Sequence, residues 1–207
     1  MNSLLGRMGM AMMTVPLAMV VAPVTAQAQA ADPALATVEA LDNGLIALMK
    51  AAAGGANQAA RARQIGPVVD RAFDIPAMAR LAVGAPWTGF SPQDQTAVVA
   101  AFRAMTVAQY ATNFDGYAGE KIAITGPVET RGADKLVRTQ LTGPRGTNES
   151  LNYRLRQSGG QWKIIDVIYR QGVSELATRR SDFAAVVAKG GAPALIQHLN
   201  RIAANPK

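Results

Sequence analysis

Between residues 120 and 171 apolar side chains recur at every second position, whereas on either side they recur every three or four. A period of two belongs to strands with one buried face, and a period near 3.6 belongs to amphipathic helices. The chain is therefore expected to fold as helices, then a block of strands, then helices. That order is an α+β pattern, in which helices pack around a curved, mostly antiparallel sheet.

Within the strand block, Ile122 and Ile124 alternate with small or polar neighbours. Val137 and Leu141 alternate with Arg138 and Gln140, and Leu151, Tyr153 and Leu155 with Asn152, Arg154 and Arg156. In the last run Trp162, Ile164 and Ile168 are expected on one face with Asp166, and Ile165, Val167 and Tyr169 on the other. A strand apolar on both sides is central or covered. Arg131-Gly132-Ala133-Asp134, Gly143-Pro144-Arg145-Gly146 and Ser158-Gly159-Gly160 are turn sequences. They join about four strands into an antiparallel meander.

The helical flanks carry their own start and stop signals. Val38, Leu41, Leu45 and Leu48 mark one face of a helix over 33–53, ended by Gly54-Gly55. A second helical stretch, 57–73, is expected to break at Gly66-Pro67. Asp74 caps a short helix over 75–83, with Gly84 after its end. A loop over 84–90 follows. Ser91-Pro92-Gln93-Asp94 then starts a long helix to about Phe114. This helix has two apolar stripes, Val98/Phe102/Met105 and Val107/Tyr110/Phe114, so it packs on both sides or lines a cavity on one. After Gly172 helical spacing returns over 179–189, stops at Gly190-Gly191, and resumes over 193–203.

Residues 1–30 read differently. Arg7 is their only charge, Met8 to Val24 is mostly apolar, and Ala26-Gln27-Ala28 and Ala28-Gln29-Ala30 are overlapping A-x-A sites. This is the layout of a secretory signal peptide. A membrane-spanning anchor is the alternative, which Pro16, Pro23 and the A-x-A tail oppose. Residues 31–207 are then a single exported domain. They keep 20 basic and 14 acidic residues, a net charge of +6. A chain with no Cys depends on no redox state and suits a bacterial periplasm.

The search for chemistry yields little. Absent Cys and a lone His198 exclude thiol catalysis, thiolate metal sites and multi-His sites within the chain. No phosphate-binding loop, dinucleotide fingerprint or nucleophile elbow is present. Asp70 and Asp74 form a possible carboxylate pair, with capping and solvation the simpler reading. Asp166, set among apolar residues, requires a partner. The basic residues are scattered, with Arg179-Arg180 the tightest cluster and Arg154 with Arg156 a small basic strand face. Anionic lipid head groups or an acidic protein surface suit that pattern better than nucleic acid. What remains is apolar surplus, which either fills one continuous core or surrounds a cavity between the sheet and the long helix.

Several passages resemble one family. They are Phe73-Asp74-Ile75 with Met78 to Gly84, Trp87 ahead of Ser91-Pro92-Gln93-Asp94-Gln95, and Ala101-Phe102-Arg103 leading to Tyr110. Gly160-Gln161-Trp162-Lys163-Ile164-Ile165-Asp166-Val167, Gly172-Val173-Ser174 and Arg179-Arg180-Ser181-Asp182-Phe183 complete the set. In order and spacing they are similar to the MlaC-type periplasmic phospholipid-binding proteins, the toluene-tolerance family, over about Val38 to Asn200. The resemblance implies a lipid carrier, not an enzyme, with no cofactor or metal, whose apolar cavity takes the acyl chains while the head group projects into solvent. It also implies shuttling between an outer-membrane lipoprotein complex and an inner-membrane ABC transporter complex, with phospholipid or a hopanoid as cargo. By face and family position the expected lipid-binding residues are Phe73, Leu81, Val83, Trp87, Phe102, Met105, Tyr110, Phe114 and Ile124. Val137, Leu141, Leu151, Tyr153, Leu155, Ile164, Ile168 and Val173 complete them. Small side chains at Ala123 and Thr139 are expected on the inner face of the sheet.

Overall fold

The computed structural model describes residues 32–169 and 172–206. The export signal expected over residues 1–30 lies outside the described residues.

Helix α1 (Pro33–Ala53) begins where Asp32 accepts a hydrogen bond from the Ala34 amide at 2.9 Å. Its Val38, Leu41, Leu45 and Leu48 are fully buried, as their spacing predicts. Helix α2 (Gln58–Ala72) runs through Gly66-Pro67, so the expected break does not occur. Pro67 removes one helical hydrogen bond, but Ile65, Gly66 and Val69 are buried around it. Gly44 of α1 also allows α2 a close approach, since a Cβ there would lie 2.7 Å from a Val68 methyl. Packing along this seam overrides the local propensity.

Asp74 caps α3 (Ile75–Val83) by accepting from the Ala77 amide at 3.0 Å. Gly84 leaves that helix at φ +72°, a conformation that favours glycine. The following loop folds into a single 3-10 turn, Ala85–Gly89. Helix α4 (Pro92–Asn113) starts at Ser91, whose Oγ accepts from the Asp94 amide at 3.1 Å, and stops at Phe114.

The strands are β1 (Lys121–Ile124), β2 (Glu129–Arg131), β3 (Asp134–Thr142), β4 (Asn148–Ser158), β5 (Gln161–Tyr169) and β6 (Val173–Ser174). They form one antiparallel sheet in the order β1-β3-β4-β5-β6, with β2 also paired to β3. Four of the strands lie where the alternation placed them. Strands β2 and β6 hold three and two residues, too short for a period to register.

Register decides which side chains face the helices. Val137 pairs with Tyr153, and Thr139 with Leu151, on the inner face. Ile122 and Ile124 join them opposite Leu141 and Thr139. Ala123 pairs with Gln140 and is exposed, so it belongs to the outer face, contrary to expectation. On β5 the regular alternation fails. Ile164 pairs with Leu155 and Asp166 with the very next residue, Arg154, so Ile165 is an extra residue in a bulge. Beyond it the faces exchange. Val167 and Tyr169, opposite Tyr153 and Leu151, share the inner face with Ile164, while Asp166 and Ile168 turn outward. The single face expected for Trp162, Ile164, Asp166 and Ile168 is therefore split.

Strand β5 is covered along its second edge, as its apolar character requires. The Phe73 backbone bridges Ile164, the Asp74 amide donates to the Ile164 carbonyl at 2.9 Å, and β6 pairs farther along. Helix α5 (Glu175–Ala204) is capped by Ser174 and interrupted at Gly190-Gly191, with Gly191 at φ +59°. The break falls where the glycine pair predicts it. Asp166 anchors the start of α5. Its carboxylate accepts from Ser174 Oγ at 2.7 Å and from the Leu176 amide at 3.0 Å, and Arg154 Nη2 lies 3.6 Å away. The partner that this buried carboxylate requires is thus a helix terminus.

Candidate functional site

The inner face of the sheet, the C-terminal half of α4, the last turns of α1 and the first turns of α5 surround a pocket of about 500 Å³. That size lies within the range of small-molecule sites, roughly 300–1,000 Å³. Burial orders its lining. Met49, Thr106, Tyr153 and Val167 are buried and form the floor, and Tyr110, Phe114, Leu141, Leu151 and Tyr169 form partly buried walls. Asn113 and Glu149 are exposed and, with Gln109, Glu175 and Arg179, form a polar mouth. The Tyr110 and Phe114 rings stack at 5.7 Å and 6°, giving one wall a flat aromatic surface.

Of the residues expected to bind lipid, the structure brings Tyr110, Phe114, Leu141, Leu151 and Tyr153 to this pocket. Phe73, Val83, Phe102, Met105, Val137, Leu155 and Ile164 are buried in the continuous core. Phe73 sits directly behind the wall, its ring 5.7 Å from that of Tyr110. Phe102 meets Phe183 edge to face at 6.2 Å. Leu81, Trp87 and Ile124 are partly buried against the core. Ile168 lies beyond the bulge on the outer face, opposite Asn152, and Val173 is 46% exposed on β6.

Reading the sequence misses Val167 and Tyr169, because alternation alone carries no sign of the bulge. Met49 falls one residue beyond the Leu45–Leu48 spacing, within the same helical face. Nothing in the sequence gathers Gln109, Asn113, Glu149, Glu175 and Arg179, since their proximity arises only when α4, β4 and α5 converge.

A buried polar pair underlies the floor. The Tyr153 hydroxyl donates to Asp42 Oδ1 at 3.3 Å, and both groups are buried. Burial is the main cause that pushes the Asp42 carboxyl up to about 7. Burial likewise raises the Tyr153 phenol well above its ordinary range, which keeps it a donor.

The other candidate groups have structural partners. Arg103 holds Asp70 in a bidentate pair at 2.6 Å, which lowers the carboxyl below its ordinary range. Asp74 caps α3, and His198 packs edge to face on Phe183 at 6.4 Å. Arg156 and Arg154, the basic strand face, lie against Asp134 and Asp166, Arg156 Nε being 2.6 Å from Asp134. Among the described residues no cluster of three or more His, Asp or Glu could hold a metal ion, and no helix is long and apolar enough to cross a membrane.

The fold and site define an α+β protein with a pocket between an antiparallel sheet and its helices. Residues 39–201 match the family described as MlaC protein, and the chain belongs to that family. Among solved structures it is similar to a phospholipid-binding protein from Ralstonia solanacearum, determined in complex with a phospholipid. The TM-score is 0.72 and the identity 24%, over 84% of this chain and 98% of that one. At this identity the likeness is one of fold. Comparison with curated proteins gives no match.

Proposed function

We propose that the protein is a periplasmic lipid carrier, with phospholipid acyl chains in the pocket and the head group at its polar mouth. The observation that carries this reading is the pocket of about 500 Å³ in a chain of the MlaC family. Apart from Thr106 its floor and walls are apolar and aromatic, and each methylene taken from water contributes roughly 0.8 kcal/mol. A ligand held this way needs no nucleophile or general base, so the reading is carriage and not catalysis. Binding of that strength makes release depend on partners. An outer-membrane lipoprotein complex and an inner-membrane ABC transporter complex are the partners the family suggests, with the carrier exported between them.

The test is mass spectrometry of organic extracts from protein purified without detergent. Phospholipid in near-stoichiometric amount is the expected result. A hopanoid instead would change the cargo class while keeping the carrier. Absence of any lipid would overturn the reading in favour of an adaptor without a ligand.

A further inference from the structure

We propose that Asp42 makes lipid binding proton-linked: its carboxyl takes up a proton when lipid fills the pocket and gives it up when water returns. The inference rests on the lipid-carrier reading and adds a control on its affinity.

Three carboxylates are buried among the described residues, Asp42, Asp134 and Asp166. Arg156 holds Asp134 through two hydrogen bonds, at 2.6 and 2.9 Å. Asp166 has Ser174, the Leu176 amide and Arg154. Asp42 has one hydrogen bond, from the Tyr153 hydroxyl at 3.3 Å, and no cation at ion-pair distance among the described residues. A buried carboxylate with so little compensation favours its neutral form. Its place ties that preference to the pocket. Asp42, Leu45 and Met49 follow one another along the buried face of α1, and Met49 and Tyr153 form the pocket floor. The Tyr153 side chain therefore links the carboxyl to the pocket directly.

The groups around Asp42 leave its charge uncompensated. On α1 itself Glu39 adds a like charge, which further opposes ionisation. On α4, burial, Glu175 and then the Asp42 charge raise the phenol of Tyr110, so the pocket wall also feels the state of this carboxyl. The cations of the surrounding elements are committed elsewhere. Arg61 of α2 donates to the Ala56 and Ala111 carbonyls, and Arg103 of α4 pairs with Asp70. Lys135 and Arg138 of β3 pair with Asp32 and Glu129, and Lys163 of β5 donates to the Asp70 and Arg71 carbonyls. Arg63, Arg71 and Lys121 are exposed. Acyl methylenes laid over Tyr153 remove water from the floor and raise the cost of charge beneath it. Asp42 already titrates at about 7, so filling the pocket draws a proton onto it from solvent. Below that pH the carboxyl is neutral and lipid enters without an electrostatic cost. Above it, binding must either protonate a carboxylate or bury it, so affinity falls as pH rises.

The experiment titrates purified protein, freed of co-purifying lipid, with phosphatidylcholine carrying a pyrene-labelled acyl chain. The head group of this probe does not titrate between pH 5.5 and pH 8.5. Binding should be about tenfold weaker at pH 8.5 than at pH 5.5, the change that follows when filling the pocket makes the carboxyl's proton tenfold harder to remove. Asp42→Asn should bind at both pH values as the parent does at pH 5.5. Calorimetry of the unaltered protein near pH 7, in two buffers of different ionisation enthalpy, should show proton uptake on binding, a readout that does not depend on the variant folding. Affinity that is flat or rises with pH, binding without proton uptake, or an Asp42→Asn protein that keeps the parent's slope overturns the proton linkage and leaves the carrier reading intact. No binding at either pH overturns both.

Discussion

The Tyr153 hydroxyl donates to the Asp42 carboxylate at 3.3 Å in the interior between the sheet and α1. This bond joins the floor of the pocket to the first helix, and its acceptor is a carboxyl that burial pushes from an ordinary 3.8 up to about 7. The folded state therefore binds the proton more tightly than the unfolded state does. The resulting stability is fully present below the unfolded value and is lost as pH rises through the folded one. Asp42→Asn removes the titration and keeps an acceptor for Tyr153. The variant should be more stable than the parent by about 2–4 kcal/mol at pH 8, with the gain shrinking towards pH 4. Urea denaturation at the two pH values measures it, and an equal gap at both would refute the argument.

Tyr153→Phe tests the same bond from the donor side. It leaves a buried carboxylate without its hydroxyl, at a cost of about 1–3 kcal/mol. That cost should be larger at pH 8, where Asp42 is ionised, than at pH 5. Thermal unfolding of the variant at both pH values measures the difference, and a cost that does not grow with pH would count against it.

Two glutamate substitutions separate pocket from core. Leu151 is a partly buried pocket wall, whereas Phe102 is 2% exposed and packed on Phe183. Leu151→Glu can turn its carboxylate into the pocket, so the protein should fold and lose its co-purifying lipid. Phe102→Glu buries an unpaired charge and should unfold the chain outright. Circular dichroism and lipid extraction on both variants decide the matter. A folded Phe102→Glu protein would be the contrary result.

Asp166 holds the start of α5 through Ser174 and the Leu176 amide. Asp166→Ala removes both acceptors and leaves Arg154 facing one carboxylate fewer. A loss of about 2–3 kcal/mol is expected. Hydrogen exchange should show it concentrated in the first turns of α5, and a uniform loss of protection would point to a different role.

Gly44→Ala places a methyl 2.7 Å from a Val68 methyl at the α1–α2 seam. Alanine favours helix, so intrinsic propensity alone would stabilise the protein. Overpacking should prevail, with a net loss of about 1–2 kcal/mol. A higher melting temperature would show that α2 yields readily.

Much of this arrangement is legible in the sequence where local chemistry governs it. Asp74 and Ser91 announce their helices because a capping side chain acts within three residues of itself. Gly190-Gly191 marks the break in α5 because Gly191 adopts a positive φ. The alternation of Leu151, Tyr153 and Leu155 identifies the inner face for a similar reason. Elsewhere the decisive interactions are distant. Pro67 stays helical because of what packs around it, and Gln109, Glu149 and Arg179 meet only through the tertiary fold. The family motifs point to the container without separating its wall from its core, since Phe102 and Tyr110 belong to one helix and differ only in what they touch.

The bulge at Ile165 acts on β5 as a one-letter insertion acts on a message. Every position after it is read in the other frame, so Val167 and Tyr169 reach the pocket while Asp166 is sent to the cap of α5. The same residues paired without a bulge would present a carboxylate and Ile168 to the pocket instead. Lining residues thus transfer between related chains only when the bulge is aligned along with the letters.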